Sequence, residues 1–381
     1  MNVQQLRDIL PVTSNTIYMN TGWAGPTPQT VLKRISETLE EEASLGPTSN
    51  NWLDVAHKIR NEAISLVANQ LNASTDEITL THSTREGLNA VIFGMSWQNT
   101  DEIVICDLEH PALTTPASVL NERYGVTVNS VAIGATDTPS EIVTKVTSAI
   151  TKQTKLIALS HIQYTCGLVM PIKEIAEESH KINVPVLVDG AQTLGQIKLD
   201  MKDLDCDYYA APGQKWLMGP VATGVLYVRK DHKQTTEPVF SSNKIYSRNY
   251  PDLPLSRLAM TSNNPALIAG FAESLKLTDS IGISTVQKRA FNLANSLRRN
   301  ASTSNKVNLL STDSPESACG LVTIGLDNLD PDTLVEVLQN EFAVVARTVR
   351  GPNGVRFSTH YFNTEEEIEK LSAILENISK K

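Results

Sequence analysis

The 381-residue chain lacks the marks of several protein classes. No apolar run reaches the ~18 residues that would cross a bilayer, so no membrane partner is expected. Cysteine is scarce. Cys106, Cys166, Cys206 and Cys319 lie far apart with no C-x-x-C pair, which argues against a zinc ribbon and a dense disulfide framework; no metal site is expected. Positive charge is short as well. With 33 Lys and Arg against 42 Asp and Glu, the formal charge is −9, the wrong sign for neutralising the phosphates of a nucleic acid. The opening Met1 to Asp8 has no basic-then-apolar layout, so the cytoplasm is the expected location. What remains is ordinary globular composition, 41% hydrophobic and 20% charged, in a chain long enough for a large domain and a smaller one.

Short apolar runs alternate with helical patterns over the first two-thirds. The runs are Ile78–Thr81, Glu102–Cys106, Lys155–Ser160, Val184–Val188 and Gly224–Val228. They are continuous rather than alternating, as strands buried on both faces must be. Helix candidates between them include Glu141 to Ile150 and Ile172 to Ile182. Another opens at Thr27-Pro28, with Val31, Ile35 and Leu39 as one buried stripe. The pattern predicts an α/β fold with an open, mostly parallel sheet covered on both sides. Past about residue 255, helices over Ala266 to Thr278 and Ile283 to Arg299 lead to Leu321–Ile324 and Pro331 to Glu341, which read as an α+β segment. The expected division is a large domain over 16–255 and a small one from 1–15 and 256–381. Lys230 to Pro254 reads as a long loop.

Ligands of such sheets bind beyond the carboxyl ends of the strands, so the residues that follow each run carry the chemistry. After Ile78–Thr81 come His82-Ser83-Thr84-Arg85-Glu86-Gly87, a polar turn opening a helix: a phosphate cradle or simply a capped helix. After Cys106 comes Glu109-His110-Pro111, where His110 either faces a planar ligand or bonds its own backbone. Asp189, at the end of an all-apolar strand, needs a cation or N–H groups to meet it; it is either a helix cap or the partner of a protonated ring nitrogen. Lys215 lies in a tight turn between small and apolar residues and just before a buried strand. Burial lowers an amine's pKa and makes it a nucleophile for a carbonyl, whereas an exposed turn would leave it inert.

Taken in order, these motifs resemble fold-type I pyridoxal-phosphate enzymes of the class V aminotransferase and cysteine desulfurase group. The resemblance runs from Ile17-Tyr18-Met19-Asn20-Thr21-Gly22 through Val188-Asp189-Gly190-Ala191-Gln192 and Gly213-Gln214-Lys215-Trp216 to the stretch from Arg347 to His360. It implies pyridoxal 5'-phosphate as cofactor and a large domain of mostly parallel sheet beside a smaller α+β domain. Lys215 would form the Schiff base and shuttle protons. Asp189 would pair with the ring nitrogen, His110 would stack on the ring, and Gln192 would meet its 3-oxygen. Thr84, Arg85 and Gln214 would hold the phosphate, and Thr261 would reach the phosphate of the other subunit of a homodimer with shared active sites. Arg347 and Arg356, with Asn20 and Gly22, would bind the substrate.

Two departures stand out. Pro212 replaces a common serine, and Tyr164 stands where many members have asparagine. A third separates activities. Desulfurases carry a nucleophilic cysteine shortly before the substrate arginine, and Arg347 to Ser358 contains none. Without a thiolate to take the sulfur, desulfuration lacks its acceptor. Within the group the chain is most similar to cysteine or cystine C–S lyases, which implies β-elimination to pyruvate and ammonia, with sulfide or cysteine persulfide released. An aminotransferase or epimerase acting on another amino acid, and a desulfurase using a differently placed cysteine, are the alternatives. A sulfur-acceptor protein is a candidate partner.

Overall fold

The computed structural model describes residues 1–232, 236–240, 254–260, 263–303 and 306–380. Its helices are α1 (Val3–Asp8), α2 (Gln29–Leu45), α3 (Asn50–Leu71), α4 (Thr84–Ile92), α5 (Pro111–Tyr124), α6 (Pro139–Ser148), α7 (Ile172–His180), α8 (Met201–Leu204), α9 (Pro265–Ile281), α10 (Ile283–Ser302), α11 (Pro331–Phe342) and α12 (Glu365–Lys380). None is long and apolar enough to cross a membrane.

The main sheet joins seven strands: β2 (Ile78–Thr81), β3 (Glu102–Cys106), β4 (Thr127–Val131), β5 (Thr154–Ser160), β6 (Val186–Asp189), β7 (Tyr208–Pro212) and β8 (Gly224–Val228). The spatial order is β2-β8-β7-β6-β5-β3-β4. Only β8 runs antiparallel to its neighbours. The continuous apolar runs have a direct cause. Val104, Cys106, Ile157, Leu159, Val186 and Val188 face a core shared with α3, α6, α7 and α9. Their alternates Ile103, Ile105, Leu156, Ala158 and Leu187 face a second core shared with α4 and α5. Both faces are dry over the central strands, so most positions there are apolar, the exceptions being small hydroxyl residues such as Thr79 and Ser160.

The C-terminal part builds a four-stranded antiparallel sheet from β9 (Val307–Leu309), β10 (Leu321–Leu326), β12 (Arg347–Val349) and β13 (Gly354–Ser358). Helices α10, α11 and α12 cover it with Leu293, Leu297, Leu334, Leu338, Ile368 and Leu371. The N-terminal β1 (Ile17–Tyr18) pairs in parallel with β11 (Val344–Val345), and Ile17 and Met19 join that same core.

Two expectations change. The α2 stripe is only half buried: Val31 is enclosed and Ile35 partly so, while Leu39 is 45% exposed. Val31 and Ile35 meet α9 at Gly270, and α2 runs on beyond that contact. Helix α6 starts at Pro139 rather than Glu141, because Thr138 and Glu141 form a reciprocal cap around its first turn. Most of the expected loop from Lys230 to Pro254 lies outside the described residues.

Candidate active site

The ends of β2, β5, β6 and β7 come together on one sheet edge. In register, Ser160 faces Asp189, Asp189 faces Ala210, and Gly224 lies between Thr81 and Pro212. Asp189 is buried, and its Oδ1 accepts from the Ala191 amide at 2.8 Å. Burial pushes its carboxyl up, against the pull of the Lys215 amine and that amide. Glycine at 190 is a matter of space: a Cβ there would lie 2.0 Å from the Tyr209 ring. Burial brings the Lys215 amine down to about 8, opposed by Asp189 and aided by Arg356 and Arg347. The backbone on either side of Lys215 is clamped. Gln214 O accepts from the Gly25 amide at 2.7 Å, and Trp216 O accepts from His360 Nε2 at 2.9 Å. His360 therefore sits behind the lysine turn, as a brace.

His110 caps α5, its Nδ1 accepting from the Ala112 amide at 3.0 Å. An amide can only donate, so Nδ1 is unprotonated and the ring hydrogen is on Nε2. Burial first, then the charges of Lys215, Arg85, Arg347 and Arg356, lower its pKa to about 4. It is a neutral imidazole at physiological pH. The Tyr164 ring meets it edge-on, centroids 5.0 Å apart. His110 thus bonds its own backbone, within electrostatic reach of Lys215, Arg85, Arg347 and Arg356.

At the start of α4, Ser83 caps the Glu86 amide at 3.2 Å, with Thr84 buried and Arg85 exposed in the first turn. Free N–H groups, a hydroxyl and a guanidinium at a helix start suit a phosphate. Glu86 accepts from the Met260 amide at 2.7 Å, which brings the segment preceding Thr261 to this helix. Thr261 itself lies outside the described residues. Gln192 is engaged at both ends: Nε2 donates to Gly22 O at 2.9 Å and Oε1 accepts from Trp216 Nε1 at 2.9 Å. One amide hydrogen stays free for a ligand.

Arg347 and Arg356 face each other across β12 and β13. Arg356 is fully buried. Its Nη1 donates to Tyr164 O at 2.8 Å, while Nε and Nη2 have no partner. Among the described residues no carboxylate pairs with either arginine. The Arg347 guanidinium lies 4.5 Å from the ring centroid of Trp23, which is 58% exposed. A Cβ at Gly22 would come within 2.9 Å of Arg356 Nη2 and of Ser358 Oγ, so residue 22 passes directly over the guanidinium. The Ser358 hydroxyl, Asn20 Oδ1, Thr21 Oγ1 and Gln214 Oε1 are likewise buried and unpartnered. Buried polar atoms without partners are rare in a folded chain and mark a place for a ligand. Ser358 and Trp23 are additions to the expected set. Ser358 had a signal, since it stands two residues from Arg356 and shares its strand face.

The residues fit pyridoxal phosphate. A desolvated amine lies near a buried carboxyl, a helix start offers anion donors, and unpartnered polar atoms line the space between. Among the described residues no group of His, Cys, Asp and Glu could hold a metal ion.

Comparison with known proteins agrees. A probable cysteine desulfurase of Methanothermobacter thermautotrophicus is 29% identical, the match covering all of this chain and 98% of that one. The cystine C–S lyase C-DES, solved with its reaction product cysteine persulfide, superposes with a TM-score of 0.89 at 25% identity, over 97% of this chain and 99% of that one. A lysine-to-alanine variant of C-DES with glycine covalently linked to its PLP cofactor matches equally well, with TM-score 0.89, 25% identity and the same coverage. Residues 17–371 match the family described as aminotransferase class-V, and the chain belongs to that family.

Proposed function

We propose that the protein is a pyridoxal-phosphate-dependent carbon–sulfur lyase that eliminates the β-sulfur group of cystine or cysteine. Cystine and water would give pyruvate, ammonia and cysteine persulfide; cysteine would release sulfide instead. The observation that carries elimination over sulfur transfer is the state of the thiols. All four cysteines are buried. Burial raises each thiol pKa: Cys319 to about 11, Cys166 upward, and Cys106 and Cys206 far upward. A desulfurase needs an accessible thiolate to receive the sulfur, and this chain offers none. The similarity to C-DES and to a probable cysteine desulfurase supports a sulfur amino acid as the substrate.

When bound, the cofactor supplies an aldehyde for amines and a protonated ring that draws off the electron pair left by the departing α-proton. Asp189 would pair with the ring nitrogen. Lys215 would carry the aldehyde and, once freed, take the substrate's α-proton; burial lowers its amine to about 8, which suits it to moving a proton near neutral pH. The two free donors of Arg356 fit a carboxylate in two-point geometry, with Ser358, Asn20 and Arg347 beside it. His110, neutral, would lie against the ring and could donate only from Nε2. Thr84, Arg85 and Gln214 would hold the phosphate.

We also assign a homodimer in the cytoplasm. The resemblance to homodimers with shared sites supports it, and Thr261 is assigned to the partner's phosphate.

The test is to incubate the protein with cystine and with cysteine and identify the carbon product. Pyruvate supports the lyase. Alanine, lost in a Cys166→Ala variant, would point to a desulfurase, and neither product would overturn the sulfur substrate.

A further inference from the structure

Glu109 stands apart from the groups assigned above. Its side chain is buried, and no basic side chain among the described residues pairs with it. A buried carboxylate without a cation is costly, so it needs another source of stabilisation. Four donors supply it. Oε1 accepts from the Ser160 amide at 2.9 Å, the Cys106 thiol at 3.0 Å and Gln163 Nε2 at 3.2 Å, and Oε2 accepts from the Ser160 hydroxyl.

Each donor belongs to an element that carries part of the site. Cys106 ends β3, and Glu109 itself immediately precedes His110. Ser160 ends β5 and faces Asp189 in register. Gln163 precedes Tyr164, whose carbonyl receives Arg356 and whose ring abuts His110. The segments that end β3 and β5 thus meet on one carboxylate, and β5 carries that link to Asp189 through the register of Ser160. A neutral side chain replaces it only in weaker form. Glutamine is isosteric, but it keeps these contacts only if the Ser160 hydroxyl reverses to accept from its NH2, and every bond to the group then loses its charge. Burial could have been met by an apolar residue at less cost, yet an apolar residue would strip the Ser160 amide, the Ser160 hydroxyl and the Cys106 thiol of their acceptor.

We propose that Glu109 is a positioning residue: its carboxylate ties the His110 loop, the Asp189 strand end and the Tyr164–Arg356 contact into one unit that sets the geometry of the cofactor-facing wall. The inference rests on the pyridoxal-phosphate reading of the site. Its consequence is that loosening this knot misplaces His110 and Asp189 together, although neither touches Glu109's carboxylate.

The experiment compares wild type with Glu109→Gln and Ser160→Ala, the latter removing a single hydroxyl donor and keeping the other three bonds. Three quantities are read: the induced visible circular dichroism of bound pyridoxal phosphate, its dissociation constant from apo-protein by tryptophan quenching, and the melting temperature. The expected result is a coenzyme band in wild type. In Glu109→Gln that band loses half or more of its amplitude per bound coenzyme, and the dissociation constant rises ~10-fold or more, about what loss of one charged hydrogen bond's worth of positioning produces. Ser160→Ala shifts both in the same direction by less. A fall in melting temperature alone, with band shape and affinity unchanged, would assign Glu109 to stability only and overturn the proposal. If Glu109→Gln does not fold, Ser160→Ala decides, and an unaltered band there counts against the proposal. Absence of any coenzyme band in wild type would instead sink the cofactor reading.

Discussion

Gly22→Ala probes the substrate pocket through one methyl group. The new Cβ would lie 2.9 Å from Arg356 Nη2, 2.9 Å from Ser358 Oγ and 3.0 Å from Gln192 Oε1, each roughly 0.5 Å inside ordinary contact. The backbone at 22 is not in the left-handed region, so alanine is permitted there and the chain has little reason to unfold. The side chains must give way instead. The guanidinium is held at one point only, by Nη1 on the Tyr164 carbonyl, so it swings on that contact and Nη2 loses its aim. Forfeiting one of two charged hydrogen bonds to the substrate carboxylate costs about 1.5–3 kcal/mol, or ~10–100-fold in KM. The three atoms nearest the methyl include neither Lys215 nor Asp189, so kcat should fall much less. Steady-state kinetics with cystine and a thermal melt on the same preparation measure this. An unchanged KM in a folded variant would refute the placement of the carboxylate on Arg356.

Other consequences are read more simply. Arg356→Met removes a buried cation that has no carboxylate partner, so the apo-protein should melt no lower than wild type, while KM rises ~100-fold or more; a destabilised variant with normal KM would contradict the assignment. Lys215, with its pKa lowered to about 8, is charged below that value and free above it. Its labelling by an amine reagent in apo-protein should therefore rise through pH 8, and a midpoint near that of ordinary lysines (about 10.4) would show the amine is not desolvated. His110, lowered to about 4, gains a proton only below that pH, so kcat/KM should show no His110 ionisation between pH 6 and 8; a limb that vanishes in His110→Phe would contradict the neutral ring. Thiol titration of the native protein should give close to no reactive cysteine, and one fast thiol would reopen the sulfur-transfer reading.

Much of this was legible because two physical constraints write directly into sequence. Strands buried on both faces leave few polar alternates, so β3, β5, β6 and β8 read as mostly apolar runs, while β2 fills its alternate positions with buried threonines. Each polar residue that ends such a run, such as Asp189 after Val188, stands out against them. Lys215 was visible for the same reason, a charge set among small and apolar neighbours. The stripe on α2 misled because periodicity reports amphipathic spacing and says nothing of how far the covering helix extends; Leu39 keeps the spacing and lies outside the cover. Glu109 and Ser358 were passed over since their meaning depends on contacts between distant segments. Glu109 joins Ser160, 51 residues away, and no local pattern encodes that.

The same contrast explains how the site stays poised. Burial first, then the charges of Arg356 and Arg347, lowers the Lys215 amine; burial and then Arg347 lower Arg356, and Asp189 is the one acid among the groups that act on Lys215. Unpaired cations destabilise an empty site, and under the proposed function phosphate and substrate carboxylate would complete the charge balance on binding. Such a site should select acids over neutral amines of the same shape. That preference should weaken as salt rises, less for the buried Arg356 than for the half-exposed Arg347. A KM for cystine that showed no such dependence in an Arg356→Met background, where Arg347 alone remains, would mean that Arg347 takes no part in holding the carboxylate.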